Sequence, residues 1–544
     1  MLERNFVKTL EDSLKDHWEQ PCFSNFEGAN YSYKDVAESI VTFHEIFKKA
    51  GISKGDRIAV CGKNSSNWAK SYLATVTYGA VIVPILPDFS SNDMTNILNH
   101  SETKLFFSDN SLWKNIDSEN LTTLEACCSL EDFNVLMEKN NNYEDIIEKT
   151  QTEIKNKYSE GFKKDDLQFD SISNADLAGI IYTSGTTGFS KGVMLSHNSL
   201  MANVDYAQEN MGLVSGDTLV NFLPLAHCFG CAFDFLFPFA TGCHITFLPR
   251  ITPQLIIKAM AEVRPRMVLS VPLLIEKIYF KQLKPILSKG YAKLPIIKNI
   301  LHKVMLKKLN QLFGDNFLTI VIGAAAFNPE VESFLTKIGF RFTVGYGMTE
   351  CGPLVSYMPW NVYKSKSAGK LINHLEAKVI NKKEGSGEGE LCVRGENVMF
   401  GYYKNDEATK EVIDEEGWLH TGDMVVMDEN DVITIMGRCK NMLLGAGGQN
   451  IYPEEIEAKL GNYDIIEDNL VIDRNGIVTA LVYPDHEYAK TLSMTAEIIK
   501  EEISKTISLI NKELPLYSKV INFEIITEKF EKTPTSKIKR YKYA

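Results

Sequence analysis

Short apolar strands alternate with helical segments along most of this 544-residue chain, and this alternation constrains its fold more than any other feature. The segments predicted as strands are DRIAVCGKN, GAVIVPIL, TKLFFSD, RMVLSVP, FLTIVIGAAA and FRFTVGYGMTE. Strands that alternate with helices form parallel sheets covered by helices, and ligands bind in the loops at the strand ends. We therefore expect an α/β fold with sheets and helices in layers.

The pattern changes after Ser367, where GELCVRG and MVVMDENDVITIMG are typical of antiparallel strands joined by polar turns. A short charged link, GRCKN, then precedes a compact segment with an Asn475-Gly476 hairpin turn. A chain of this length exceeds the size at which one core stops growing. We predict a large N-terminal domain over 1–436 with a β-rich subdomain, a hinge at 437–441 and a small mobile α+β domain over 442–544.

Composition excludes several classes of protein. The apolar share of 44% and the charged share of 24% are typical of an ordinary soluble globular protein. The net charge of -12 disfavours nucleic-acid binding and passive adsorption to an anionic membrane. The start of the chain is charged and amphipathic, without the pattern of a signal peptide, so we expect a cytoplasmic protein. Transient membrane contact stays open, and oligomeric state is not predicted.

The segment Phe222–Leu248 is long enough to span a bilayer, but Asp234, two histidines and two prolines interrupt it. We therefore expect a buried core helix followed by a strand. The same segment contains HCFGC, whose two cysteines stand at C-x-x-C spacing. Their flanks are apolar and no second pair stands at zinc spacing, so we interpret Cys228 and Cys231 as core thiols.

The loop YTSGTTGFSKGV, from Tyr182 to Val193, has the residues that wrap an anion with backbone N–H groups, hydroxyls and an ammonium. A Walker loop requires G-x-x-x-x-G-K-[ST], whereas here Ser190 replaces the second glycine and Gly192 follows Lys191. Apolar strands flank the loop, and a helix begins only near Ser196. If this loop holds phosphate, it does so without a helix dipole, and a plain surface turn is the alternative.

Five further segments follow in order along the chain: GYGMTE at 345–350, GWLHTGD at 417–423, GRCKN, GGQNIYPEEIE and KTPTSKIKR. With the glycine loop they resemble the acyl-adenylate-forming enzymes, a superfamily that includes acyl-CoA synthetases, luciferases and the adenylation domains of peptide synthetases. The tail FEKTPTSKIKRY is most similar to long-chain fatty acid CoA ligases.

This resemblance implies an enzyme that uses ATP and Mg²⁺ to activate a fatty acid as acyl-AMP and then transfers the acyl group to CoA. Alternatives are an adenylating ligase for another acid, such as an aryl acid, one with another acceptor, such as a carrier-protein thiol, and a non-catalytic relative. The partners expected for the fatty-acid ligase are the small molecules fatty acid, ATP and CoA, with no nucleic acid.

The resemblance also implies a nucleotide site made from several loops. Thr183 to Lys191 would hold the β- and γ-phosphates, Tyr346 would stack on adenine beside a backbone wall, Glu350 would bind Mg²⁺, and Asp423 would accept the ribose hydroxyls. The residues expected to bind the nucleotide are Thr183, Ser184, Gly185, Thr186, Thr187, Gly188, Lys191, Gly323, Ala324, Ala325, Tyr346, Gly347, Thr349, Asp423 and Arg438.

The remaining expectations concern catalysis and movement. By resemblance, Lys537 would bridge the acyl carboxylate and the α-phosphate during adenylation. Lys440 would be the hinge residue, and the loop around Gly448 would line a tunnel for pantetheine. His227 stands where related ligases place an aromatic residue or a histidine beside the carboxylate, and phenylalanines suited to an alkyl tail follow it. A satisfied core histidine is the alternative.

Overall fold

The computed structural model describes residues 1–139, 142–183, 190–289, 294–444, 449–534 and 537–543. These residues form two compact units. The first contains Met1–Thr183, Ser190–Glu376 and Val393–Leu419, and the second contains Ala377–Cys392 and the chain from His420 onward. Within the described residues, no helix is both long enough and apolar enough to cross a membrane.

The strands in chain order are β1 (Pro21–Asn25), β2 (Asn30–Ser32), β3 (Arg57–Cys61), β4 (Val81–Ile85), β5 (Thr103–Ser108), β6 (Ala126–Ser129), β7 (Val135–Glu138), β8 (Leu177–Thr183), β9 (Lys191–Ser196), β10 (Thr218–Asn221), β11 (His244–Phe247), β12 (Met267–Ser270), β13 (Thr319–Ile322), β14 (Phe342–Val344), β15 (Tyr346–Gly347), β16 (Leu354–Tyr357), β17 (Lys370–Leu371), β18 (Leu375–Ile380), β19 (Gly389–Gly395), β20 (Gly401–Tyr402), β21 (Leu419–Met427), β22 (Ile433–Arg438), β23 (Leu443–Leu444), β24 (Asn450–Ile451), β25 (Ile466–Arg474), β26 (Ile477–Pro484) and β27 (Asn522–Ile525).

The helices in chain order are α1 (Phe6–Asp16), α2 (Tyr33–Lys49), α3 (Ser66–Tyr78), α4 (Ser91–His100), α5 (Asn110–Trp113), α6 (Tyr143–Lys157), α7 (His197–Asn210), α8 (Cys228–Cys231), α9 (Phe237–Thr241), α10 (Pro253–Val263), α11 (Pro272–Ile278), α12 (Lys284–Leu287), α13 (Pro295–Leu312), α14 (Pro329–Ile338), α15 (Asp406–Val412), α16 (Pro453–Leu460), α17 (His486–Thr491) and α18 (Ala496–Ile510).

The first unit is built on an eight-stranded sheet with the order β20-β9-β8-β4-β3-β5-β6-β7. Its inner strands β8, β4, β3, β5 and β6 are parallel, and the strands at both edges are antiparallel. A four-stranded sheet, β10-β11-β1-β2, and a parallel sheet, β12-β13-β14, accompany it. The predicted α/β layers are confirmed.

Helix α3 shows why these layers form. It contacts β3 and β4 of the eight-stranded sheet and β1 of the four-stranded sheet. Nearly every residue of α3 is buried, which is expected for a helix covered on two sides. Ser65 caps its first turn through a bond from the Trp68 N–H, and Gly79 ends it at a φ of 85°, where a residue with a side chain would be strained.

In the second unit, β25, β26 and β27 form one sheet against which α16 and α18 pack. Asn475 and Gly476, with φ values of 56° and 79°, form the predicted turn between β25 and β26. The sheet β18-β19-β21-β22, most of whose residues belong to this unit, contains the predicted antiparallel hairpin of β21 and β22.

All ten cysteines lie within the described residues and are free thiols. Nine are buried, and Cys439 is half-exposed. Burial raises the pKa of Cys228 and of Cys231 to about 12, so both stay protonated near neutral pH. Their interpretation as core thiols is confirmed. The helix-then-strand prediction for Phe222–Leu248 is also confirmed, because α8, a π turn over Ala232–Leu236 and α9 precede β11.

Candidate functional site

The candidate phosphate loop is anchored between two paired strands. β8 and β9 are antiparallel, and their last pair joins Thr183 to Lys191. The Thr183 hydroxyl lies 3.5 Å from the Lys191 carbonyl oxygen. The intervening candidates Ser184, Gly185, Thr186, Thr187 and Gly188 lie outside the described residues. The strand pairing thus places the predicted loop lysine directly opposite the predicted loop threonine.

Lys191, Tyr402 and Glu350 form a contact chain in the first unit. The Lys191 ammonium lies 4.6 Å from the centroid of the Tyr402 ring, within the range of a cation–π contact. The Tyr402 phenol donates a 2.8 Å hydrogen bond to Glu350 Oε1. Because β20 pairs with β9, Tyr402 stands beside the strand that Lys191 begins. The structure therefore brings the predicted phosphate-binding lysine and the predicted Mg²⁺-binding glutamate to one aromatic side chain.

Glu350 lies in a single 3-10 turn with Thr349 and Cys351, and its side chain is half-buried. The Met399 N–H donates to the Glu350 carbonyl oxygen at 2.8 Å, which ties this turn to the segment just before β20. Both the backbone and the side chain of Glu350 are therefore held by residues 399–402.

The candidate adenine wall follows directly from the parallel sheet. Ile322 pairs with Val344, so the residues that follow β13 and β14 emerge side by side. The Gly345 N–H bonds the Ile322 carbonyl oxygen at 3.0 Å. Ala324 has a φ of 69°, and Ala324 and Ala325 are exposed. This arrangement brings the backbone after β13 and the residues after β14 to the same edge of the sheet.

Glycine is required at position 347, and the space beside Gly323 in the wall is tight. A Cβ at Gly347 would lie 2.2 Å from the Pro353 carbonyl oxygen, and a Cβ at Gly323 would lie 3.1 Å from the Phe229 ring. Phe229 is half-buried and comes from the segment that begins with His227. The wall and the candidate acyl segment are therefore in van der Waals contact.

His227 caps the first turn of α8: its Nδ1 accepts the Phe229 N–H at 3.3 Å. A neutral ring that accepts at Nδ1 carries its proton on Nε2. The imidazole is half-buried, so it is neither a core side chain nor a fully solvated one. The local structure gives His227 a capping role and a defined tautomer.

Two of the phenylalanines that follow are core residues. Phe235 packs against Trp68 and Tyr72 with ring centroids 6.2 and 5.6 Å away. Phe239 stacks on Tyr33 at 5.3 Å. Their apolar surface is used in packing, so the prediction that the phenylalanines suit an alkyl tail is not supported by these two rings.

A buried amide network holds the segment that leads to the candidate histidine. Asn64 donates 2.6 Å bonds to the Leu223 carbonyl oxygen and to Asn221 Oδ1, and it accepts the Leu225 N–H at 3.1 Å. Asn221 in turn donates to Asp234 Oδ2 at 3.1 Å. Asp234 is fully buried, and burial raises the pKa of its carboxyl group well above the usual value.

Asp423 and Arg438 pair within the second unit. They stand opposite each other on β21 and β22, and Arg438 Nε lies 2.9 Å from Asp423 Oδ1. Arg438 also donates to the Thr421 carbonyl oxygen at 3.1 Å. Asp423 is 4% exposed. The guanidinium therefore orients the predicted ribose-binding carboxylate.

The hinge candidate Lys440 is exposed and lies in a 3-10 turn over Cys439–Asn441. Asn441 donates a 2.6 Å hydrogen bond to Glu454 Oε1. An aspartate here would repel Glu454, so the amide suits this chain. Gly448 lies outside the described residues.

Lys537 is exposed and sits in a short tail that is fastened to the second unit. Its N–H donates to the Thr533 hydroxyl at 3.2 Å, and the Thr533 N–H donates to its carbonyl oxygen at 2.7 Å. The Arg540 guanidinium donates hydrogen bonds to both carboxylate oxygens of Glu457 in α16, at 2.7 and 2.8 Å. This bidentate pair fixes the backbone near Lys537.

The sequence motifs did not identify Tyr402 or Asn64. A tyrosine directly after a glycine in MFGYYKN was the available signal for Tyr402. A cavity of about 500 Å³ in the first unit lies elsewhere, between α2, α6 and β5, and none of the predicted site residues lines it.

Known proteins resemble this chain over most of its length. The family described as AMP-binding enzyme matches residues 10–403. The putative acyl-CoA synthetase YngI of Bacillus subtilis is 27% identical over 91% of this chain and 88% of its own length. The long-chain-fatty-acid–CoA ligase ACSBG2 of Rattus norvegicus is 29% identical over 75% of this chain and 65% of its own length.

Among solved structures, the anthranilate CoA ligase AuaEII in complex with anthranoyl-AMP superimposes with a TM-score of 0.78 at 19% identity. The match covers 100% of this chain and 97% of that one. At this identity the similarity establishes the fold alone, and it covers both units.

Proposed function

This chain belongs to the AMP-binding enzyme family, whose match spans residues 10–403, and from this we propose its function. The chain activates a carboxylic acid with ATP. The acid attacks the α-phosphate, acyl-AMP forms and pyrophosphate leaves. The thiol of CoA then attacks the acyl carbon of the mixed anhydride, and AMP leaves. The overall reaction is that of an AMP-forming acid–thiol ligase.

The observation that carries this proposal is the contact chain Lys191–Tyr402–Glu350 at the end of the β8–β9 hairpin. Two anions must approach each other when a carboxylate attacks a phosphate, so cations held in advance lower the barrier. Lys191 supplies one such cation. Its ring partner, Tyr402, also donates a hydrogen bond to the carboxylate of Glu350.

Glu350 fits Mg²⁺. Among the described residues no group of three His, Cys, Asp or Glu side chains could form a protein cage for a metal. Mg²⁺ is commonly bound by one or two carboxylates together with substrate phosphates. When bound, Mg²⁺ offsets charge on the phosphates, and Glu350, oriented by Tyr402, would hold it.

We assign the other roles as follows. Tyr346 and the backbone at Gly323–Ala325 bind adenine, and Asp423, oriented by Arg438, accepts the ribose hydroxyls. Lys537 bridges the carboxylate and the α-phosphate in the adenylation step. The chain from residue 437 to 441 is the hinge, with Lys440 as its pivot.

For the acid we propose a long-chain fatty acid, since the tail resembles that of long-chain ligases and a relative such as ACSBG2 carries that name. An aryl acid is the second candidate, because Phe229 offers an aromatic surface beside Gly323.

The experiment is a substrate survey. The purified protein receives Mg-ATP, CoA and one acid at a time, from acetate to stearate and then benzoate, anthranilate and coumarate, while AMP release is measured. Preference should rise with chain length, because each buried methylene contributes about 0.8 kcal/mol. An aryl acid or acetate as the best substrate would reject the fatty-acid assignment. AMP release that a carrier protein accelerates, but CoA does not, would reject CoA as the acceptor.

A further inference from the structure

One segment of the chain has a charge opposite to that of the whole. From Lys277 to Gly314 the sequence contains nine lysines and neither aspartate nor glutamate, in a chain whose net charge is -12. A block of like charge of this kind is a candidate interaction surface. Helix α13 forms its second half.

Helix α13 exposes apolar side chains on one side. Ile296, Ile300 and Val304 are 77%, 57% and 45% exposed. Their spacing of four residues places them in one row along the helix. Met305 and Leu309 are buried on the side where α13 contacts α10 and α14. The exposed row is therefore not the packing side of the helix.

Lysines accompany this row. Lys303, Lys307 and Lys308 are exposed on α13, and within the part of the chain that the structure describes none of them forms an ion pair. Lys303 lies three residues after Ile300, and Lys307 lies three residues after Val304, so each neighbours the row. We call Ile296, Ile300, Val304, Lys303, Lys307 and Lys308 the lysine-rich face.

We propose that the lysine-rich face docks this protein on the surface of a membrane that contains anionic phospholipids. The ammonium groups contact lipid phosphates, and the aliphatic row enters the boundary between head groups and acyl chains. Helices that lie on membranes combine lysines with exposed aliphatic side chains in this way. This inference goes beyond the ligase reaction and does not depend on which acid is activated.

The charge argues against a second copy as the occupant. In a symmetric dimer the same surface faces itself, so the lysines of two copies would be brought together. An acidic protein surface could also pair with the lysines. The vesicle test below distinguishes it, because only a lipid-binding face brings the protein to protein-free vesicles.

The test measures flotation of the full chain with vesicles of phosphatidylcholine, with and without phosphatidylserine, at low and high salt. We expect binding to the anionic vesicles only, weakened by salt. Lys303→Glu/Lys307→Glu should lose about tenfold or more of this binding, because each lysine near an anionic surface contributes measurably. Ile296→Ser/Ile300→Ser should weaken binding without removing its dependence on salt.

The matched control is Lys155→Glu/Lys157→Glu at the end of α6, which changes the net charge equally on an exposed helix. It should bind as the wild type does, and all variants should keep the wild-type melting temperature and the wild-type rate with a water-soluble acid. Failure of the wild type to bind anionic vesicles, or an equal loss in the control, would overturn the proposal. A concentration-dependent dimer that Ile296→Ser/Ile300→Ser abolishes would assign the face to a second copy instead.

Discussion

The phenol of Tyr402 donates a 2.8 Å hydrogen bond to Glu350 Oε1 across 52 positions of sequence, while its ring faces the Lys191 ammonium. One side chain therefore contacts two groups that we assign to the reaction. The hydroxyl orients the carboxylate, and the ring supports the cation. These two contributions can be separated by substitution.

Tyr402→Phe removes the hydroxyl and keeps the ring. We expect acyl-AMP formation to slow about tenfold to a hundredfold, because a hydrogen bond to a charged group contributes about 1.5–3 kcal/mol. Mg-ATP binding, measured by calorimetry, should weaken more than ATP binding in the presence of chelator. Tyr402→Leu should weaken Mg-ATP binding and ATP binding alike, because Lys191 then also loses its cation–π contact with the ring.

The neighbouring Tyr403 provides the control for this prediction. Its hydroxyl bonds Glu102 at 3.1 Å rather than Glu350, so Tyr403→Phe removes an equivalent group from the same segment. It should leave Mg-ATP binding unchanged. A loss in Tyr403→Phe as large as in Tyr402→Phe would mean that the effect is structural.

Lys537→Ala should slow acyl-AMP formation by orders of magnitude and leave the transfer of supplied acyl-AMP to CoA nearly unchanged, because we assign the lysine to one half-reaction. The measurement is the single-turnover rate of each half-reaction. Lys539→Ala, two residues away beside Glu531, is the matched control and should retain both rates. If both half-reactions fall equally in Lys537→Ala, the assignment is wrong.

Lys440→Pro should spare adenylation and impair thioester formation, because proline fixes φ at the proposed pivot. Lys440→Ala removes the same charge without restricting the backbone, so it should transfer acyl groups at close to the wild-type rate. The two variants are compared by the rate of acyl-CoA formation from supplied acyl-AMP. Equal rates in both would place the pivot elsewhere.

Asp234 should make stability depend on pH. Burial raises the pKa of this carboxyl group above its unfolded value, so its contribution is fully present below that unfolded value and is lost as pH rises toward the folded pKa. In Asp234→Asn, which cannot ionise, the melting temperature relative to wild type should therefore rise between pH 4 and pH 8, by roughly 1 °C for each kcal/mol that the wild type loses, because the unfolding entropy of a chain this long is large. The measurement is thermal unfolding of both proteins across this pH range. A difference in melting temperature that stays constant would show that the pKa of the carboxyl group is the same in the folded and unfolded protein.

The parts of the fold that local residues determine were predictable from the sequence. Asn475 and Gly476 form a turn because both tolerate a positive φ, and Asn328 caps the helix that Pro329 begins. The strands on both sides of the phosphate loop were recognisable because their apolar runs are short and bounded. Each of these features depends on residues that are neighbours in the chain.

The contacts that complete the site could not be predicted in this way. Tyr402 reaches Glu350 because β20 pairs with β9, and no local pattern specifies that pairing. The same holds for Asn441, whose amide bonds Glu454 13 positions further along the chain. Phe235 and Phe239 resembled the lining of a pocket, and only their packing partners identify them as core.

The distribution of thiols allows a label to be attached beside the proposed hinge. Nine of the ten cysteines, all of which the structure describes, are buried, and Cys439, which is half-exposed, immediately precedes Lys440. Burial raises the pKa of Cys439 to about 11, so maleimide labelling should be slow at neutral pH and faster in mildly alkaline buffer. The native chain thus carries its own attachment site for a fluorophore or spin label. The signal of that label can report movement at the proposed pivot during turnover, without replacing a residue.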